Sequence, residues 1–147
     1  MTDTTALLSV IDPVVEEILA LFDIDRPPVP VELMLQRPRE DTWPMIDLSE
    51  MSATFLNLHD RYAPRMSAVR LLARNIARSP WGQARGLDSV IQDAASIHIF
   101  ARALVIPAPL LHGIDQSFHD VKAIGLKFEV PESDAEARLS DLGMEVK

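Results

Sequence analysis

Between Arg65 and Arg78 the chain reads Arg-Met-Ser-Ala-Val-Arg-Leu-Leu-Ala-Arg-Asn-Ile-Ala-Arg. Helical spacing gathers Val69, Leu72, Ala73 and Ile76 on one side and sets Arg70, Arg74 and Arg78, each four residues from the last, on another. The same 3.6-residue rhythm predicts further helices. Asp12 as N-cap, with Pro13 at the first helical position, starts one that ends near Phe22, its stripe formed by Val14, Val15, Ile18, Leu19 and Phe22. Asp25-Arg-Pro-Pro-Val-Pro30 is a stiff connector, because proline removes a donor and biases the preceding residue away from helix. A short helix from Val31 to Gln36 follows, with Val31, Met34 and Leu35 inward.

After a polar turn from Pro38 to Asp41 the rhythm changes to alternation. Thr42-Trp-Pro-Met-Ile-Asp47 and Met51-Ser-Ala-Thr-Phe-Leu-Asn-Leu58 predict two strands joined by Leu48-Ser-Glu50, the first pushed to a sheet edge by Pro44. His59 to Pro64 is then a loop into the arginine helix, and Ser79 to Gly86 a loop out of it. A central buried helix opens at Asp88 or at a Ser89-x-x-Gln92 capping box. Its stripe is Val90, Ile91, Ala94, Ile97, Ala101, Leu104 and Val105, and Pro107 and Pro109 end it. A helix from about Asp115 to Lys127 turns Phe118, Val121 and Ile124 inward, with Phe128 a further candidate just beyond its end. The last helix has a Ser133-x-x-Glu136 capping box, inward Ala135, Leu139 and Leu142, and Gly143 as its stop.

Composition narrows what such a chain can do. Its 147 residues fit one domain, and 48% hydrophobic with 24% charged residues describes a globular chain. No cysteine is present, so there is no disulfide framework and no thiolate site, which suits a reducing cytoplasm. The opening residues lack the features of a signal peptide. The longest apolar run, Ala103 to Leu111, is short and broken by prolines, so no membrane span is expected. Charge is segregated: residues 61–87 carry six arginines and no acid, for +6, and the remainder carries −14. Such a surface repels nucleic acid over most of its extent.

Three arginines in succession on one face repel one another and call for compensation. Asp88, Asp93 or the acidic C-terminal stretch can supply salt bridges. Alternatively Arg70, Arg74 and Arg78 form a surface for an acidic segment of another protein or a phosphate-bearing ligand. Direct DNA binding is disfavoured, because acids surround Arg138 in the terminal helix pair, although that pair is helix-turn-helix-like. Among the histidines, His112-x-x-Asp115-x-x-x-His119 has workable metal spacing but spans Gly113. His98 reads as a hydrogen-bonded core or rim residue, and His59 with Asp60 as solvated surface. Trp43 and Trp81 read as packing.

In many hydrolases a helix of this kind carries His-Glu-x-x-His, two imidazoles one turn apart on zinc with a glutamate activating the bound water. Here the corresponding residues are Arg74-Asn75-Ile76-Ala77-Arg78. Phe100-Ala-Arg-Ala-Leu-Val-Ile-Pro107, the segment from Val121 to Gly143 with its Phe-x-Val turn and Arg-Leu-x-x-Leu-Gly close, and the strand-loop-helix layout before Arg65 together resemble the ImmA/IrrE metallopeptidase family. The resemblance covers roughly residues 10–145. It implies an α+β fold, a small mixed or antiparallel sheet packed on several helices as a minimal zincin-like core over about 10–112, with the terminal pair at 114–143.

Residue by residue, the resemblance places the family's two histidines on Arg74 and Arg78, its glutamate on Asn75 and its third ligand near Ser96, with Asp93 the closest acid. No matched position offers a ligand. A guanidinium has no lone pair to donate, and an amide is no general base. The resemblance therefore implies a catalytically inactive pseudo-metallopeptidase with no cofactor, acting on another protein, as relatives pair with helix-turn-helix regulators. The alternative is a metal-dependent peptidase or other hydrolase with a relocated site.

Overall fold

The computed structural model describes residues 4–38, 42–44, 62–114 and 120–144. Their regular structure is α1 (Thr4–Leu21), α2 (Val31–Gln36), α3 (Ala63–Arg78), α4 (Pro80–Ala84), α5 (Leu87–Val90), α6 (Ala94–Val105), α7 (Ala108–His112), α8 (Val121–Phe128) and α9 (Glu132–Asp141). The described residues are 72% helical and contain no strand, so the described structure is all-α and the expected α+β, zincin-like core is corrected. Of the two expected strands, only Thr42, Trp43 and Pro44 are described. They form a bend and irregular chain, and the remainder lies outside the described residues. Trp43 is not a sheet-edge residue. It is 2% exposed, donates its indole N–H to the Met34 carbonyl (3.0 Å) and stacks on Phe22.

No sheet is needed to bury the stripes, because they bury one another. α3 packs most extensively against α6, and α2 and α4 also lie on α3, while α1 and α9 lie on α6. From α3 come Met66, Val69, Leu72, Ala73 and Ile76, and from α6 Phe100, Ala101, Ala103, Leu104 and Val105, all 2% exposed or less. Alanines at Ala73, Ala101 and Ala103 leave room for close approach of the two backbones. Where α4 meets the end of α3, Gly82 is required, since a Cβ there would sit 2.0 Å from the Ile76 carbonyl oxygen.

Several boundaries differ from the sequence reading. α1 begins eight residues before Asp12 and takes Pro13 into its interior. Leu7, Leu8 and Ile11 extend the buried stripe upstream, and the hydrogen bond that Pro13 cannot make falls on the exposed Ser9 side. The Ser79 to Gly86 loop contains α4, capped by the Ser79 hydroxyl accepting from the Gly82 amide (3.0 Å). The single central helix is two, because the chain breaks after α5 and restarts at a capping box formed by Asp93 and Ser96, not by Ser89 and Gln92. Ala94 is therefore exposed. Ser133 and Glu136 form no capping box in α9, whose N-cap is Pro131. α2 matches its expected span, with Val31, Met34 and Leu35 buried, and Gly143 closes α9 at φ 70°.

Two arginines fasten the helices where apolar contact alone does not. Arg65 donates to the carbonyls of Phe128 (2.9 Å), Glu129 (3.1 Å) and Val29, and its Nε lies 3.5 Å from Glu32. Glu129 has φ 58°, a left-handed conformation that costs a non-glycine residue about 1 kcal/mol, and Arg65 holds the turn there. Arg138 is 0% exposed; its Nε donates to the Ile106 carbonyl (3.0 Å), and both terminal nitrogens lack a hydrogen-bond partner among the described residues. Burial pushes its pKa down to about 10 against the favourable fields of Asp12 and Asp141, so it remains protonated at neutral pH.

A buried guanidinium with most of its N–H donors unmatched gives up more hydration than it regains. Arg138→Met, which keeps the volume and removes the charge, is therefore expected to leave thermal stability unchanged or to raise it by up to about 2 kcal/mol. Arg138→Ala, which opens a cavity, is expected to cost about 2–4 kcal/mol. Chemical denaturation of both variants measures this; a Met variant as damaged as the Ala variant would show that the guanidinium itself stabilises the fold.

Candidate functional site

The arginine-bearing flank of α3 is the candidate site, and its side chains fare differently along its length. Arg70 reaches α9, with a terminal nitrogen 3.2 Å from an Asp134 oxygen while its Nε is buried without a partner among the described residues. Beside this pair lies a cleft of about 240 Å³ lined by Ala63, Met66, Ser67, Arg70, Pro131, Ser133 and Asp134. The acidic C-terminal stretch thus supplies the compensation expected for the first of the three arginines.

Arg74 and Arg78 are exposed, and neither has an ion pair or side-chain hydrogen bond among the described residues. Asp88 is exposed in α5 without an arginine partner among the described residues, and Asp93 is committed elsewhere. Its carboxylate accepts from the Ser96 amide (2.8 Å), which holds its pKa below the ordinary range. Asn75 is half-buried and donates to the Leu71 carbonyl one turn back (2.8 Å). Ser96 is 1% exposed, with its hydroxyl accepting from the Asp93 amide (3.1 Å). The four positions where the resemblance places metal chemistry are therefore two solvated cations, one amide bonded to its own helix and one capping hydroxyl. This donor set does not fit zinc, since none of the four presents an imidazole or a carboxylate.

The side chain of His98, on α6, lies in the field of Arg70, Arg102 and Asp134. Burial first, then the two guanidinium groups, lower its pKa below the ordinary histidine value, with Asp134 opposing. It is exposed, at the rim between α3, α6 and α9 rather than in the core. Next to it Arg102 grips Asp141 with two parallel hydrogen bonds, 2.8 and 3.0 Å, which join α6 to α9. This fork-to-fork pair and the Arg65 fan had no signal in the periodicity, because each joins residues more than 35 positions apart.

His59, Asp115 and His119 lie outside the described residues, and His112 is exposed at the end of α7. Among the described residues no three histidine, aspartate or glutamate side chains converge in a metal-holding group, and no helix is long and apolar enough to cross a membrane. The two tryptophans pack against each other edge-to-face at 5.5 Å, and the Arg85 guanidinium lies 3.8 Å from the Trp81 ring centre while pairing with Glu17. Compared with known proteins, the chain matches no family, no curated sequence and no solved structure.

The lowered pKa of His98 has a definite sign. Because the unfolded chain, with a value near 6.5, binds the proton more readily, the His98 contribution is complete above that value. It is lost as pH falls from there through the lowered folded-state value. The melting temperature of the wild type is expected to fall more than that of His98→Gln between pH 7 and pH 5. Parallel melting curves would contradict the assigned environment.

Proposed function

We propose that the protein is a binding module and not a hydrolase, one that engages an acidic surface of another protein through α3. The observation that carries this reading is the state of Arg74 and Arg78. They are exposed, permanently charged and without a partner among the described residues, at the positions where the resembled family has its paired imidazoles. Arg70, one turn earlier, already holds a carboxylate, so the same flank shows the chemistry it would use on a partner. A helix-turn-helix regulator remains the proposed kind of partner on the strength of the resemblance alone, and the cytoplasm the proposed location, supported by the lack of cysteine.

Because the chain carries net charge −8, the bulk of its surface is repelled by an acidic matrix. Retention of the purified protein on immobilised poly-glutamate at low salt, with release at about 0.2–0.3 M salt, is therefore expected only if a local cationic face does the binding. Arg74→Glu with Arg78→Glu should abolish retention, and casein should survive incubation with the protein in the presence of zinc. Stoichiometric zinc in the purified protein together with zinc-dependent cleavage of casein would replace the binding module by a peptidase.

A further inference from the structure

The flank of α3 carries more than charge. Ser67, Arg70, Leu71, Arg74, Asn75 and Arg78 follow one another at spacings of three, one, three, one and three, and none of the six is buried. This is the spacing of a helix–helix seam, and it runs beside the buried stripe of Met66, Val69, Leu72, Ala73 and Ile76 as a second seam on the same helix. Its centre is apolar: Leu71 is a half-buried aliphatic side chain resting against the core, with Arg74 one turn further on and Arg70 beside it. An aliphatic centre edged by guanidinium groups has the make-up of a small binding hot spot.

We infer that the occupant of this seam is an acidic amphipathic helix of a partner protein, laying an aliphatic side chain over Leu71 and carboxylates spaced one turn apart on Arg74 and Arg78. The inference rests on the binding-module reading above and specifies its partner. Three observations select this occupant. At the Arg70 end the seam already accepts a carboxylate from a helix, since Asp134 belongs to the first turn of α9. A second copy of the same face is excluded by like charge, because two rows of arginines would oppose one another. Nucleic acid is disfavoured by the −14 charge carried outside residues 61–87. A helix also suits the geometry, because its i, i+4 carboxylates recur with the same rise as the i, i+4 arginines of α3.

The test is fluorescence anisotropy with two labelled peptides of equal charge. One is an alanine-based 21-residue helix with glutamate at every fourth position and leucine between; the other has the same composition except for two central prolines that break the helix. The helical peptide is expected to bind the wild-type protein at least fivefold more tightly than the broken one. Arg74→Glu with Arg78→Glu should weaken it at least tenfold, and Leu71→Ser several-fold. A far-UV circular dichroism spectrum and melting temperature matching the wild type establish that the doubly reversed variant is folded. Equal binding of both peptides, lost in the doubly reversed variant, would overturn the helical occupant while leaving an acidic partner in place. Binding of neither peptide would overturn both, and binding indifferent to the double reversal would overturn this seam as its location.

Discussion

The packing of α3 against α6 is the constraint from which the remaining architecture follows. Each of the large apolar side chains fully withdrawn from water at that contact contributes roughly 1.5–3 kcal/mol, and the alanines among them let the two helices approach closely enough to realise it. Once one side of α3 is committed to α6, and α2 and α4 also lie on α3, its polar residues have only the flanks to occupy. The arginines are on those flanks because the apolar residues own the interior. Their four-residue spacing then keeps Arg70, Arg74 and Arg78 together in a row, whatever neighbour each one meets.

What each arginine meets decides what it does. Arg65 is largely buried and finds three backbone carbonyls, so it serves as a cross-brace among the proline connector, α3 and the turn after α8. Arg85 pairs with Glu17 and lies over Trp81, fixing α4 against α1. Arg102 and Asp141 form a planar two-bond pair that is partly shielded from water, the geometry in which an ion pair contributes most. Arg138, the most deeply buried, is the least well matched. Arg74 and Arg78 receive nothing from the described part of the chain, although the protein as a whole carries 22 acidic residues against 14 basic ones. Against such an excess of carboxylates, Arg74 and Arg78 are two adjacent guanidinium groups with no ion pair among the described residues.

The helices with uninterrupted stripes were legible from sequence. α2 and α3 emerge with their inward residues as expected, and the Gly143 stop to α9 is a local property of the chain. The boundaries that moved did so where a tertiary contact outweighed a local signal. Pro13 resembles a helix start, yet Leu7, Leu8 and Ile11 gain more by extending the buried stripe than the missing proline donor costs at an exposed position. Asp93 and Ser96 won the capping of α6 over Ser89 and Gln92 because the chain bends after α5, which no periodicity records. The sheet expectation rested on resemblance, on the alternation of Met51 to Leu58, which lies outside the described residues, and on the run from Thr42 to Asp47. At the one described part of that stretch, burial of the indole against Met34 and Phe22 replaces strand pairing. At the candidate site, the row itself was visible in the spacing, whereas the distinction between a paired Arg70 and unpaired Arg74 and Arg78 depends on where α9 lands, far along the chain.

That distinction also separates a structural role for the row from a recognition role. If the arginines of α3 were present only to balance charge within the fold, the chain had suitable acids close at hand, because Asp88 and Asp93 lie in the segments that lead into α6, the helix against which α3 packs. Asp88 is left in solvent, and Asp93 is spent on the amide of Ser96. Repulsion between Arg74 and Arg78 costs a few tenths of a kcal/mol, small enough to be carried permanently by a fold whose core is complete without them. It is also the term that an incoming carboxylate would relieve. In the proposed binding role, relief of this repulsion beside an aliphatic residue at helical register is what the surface would gain on association.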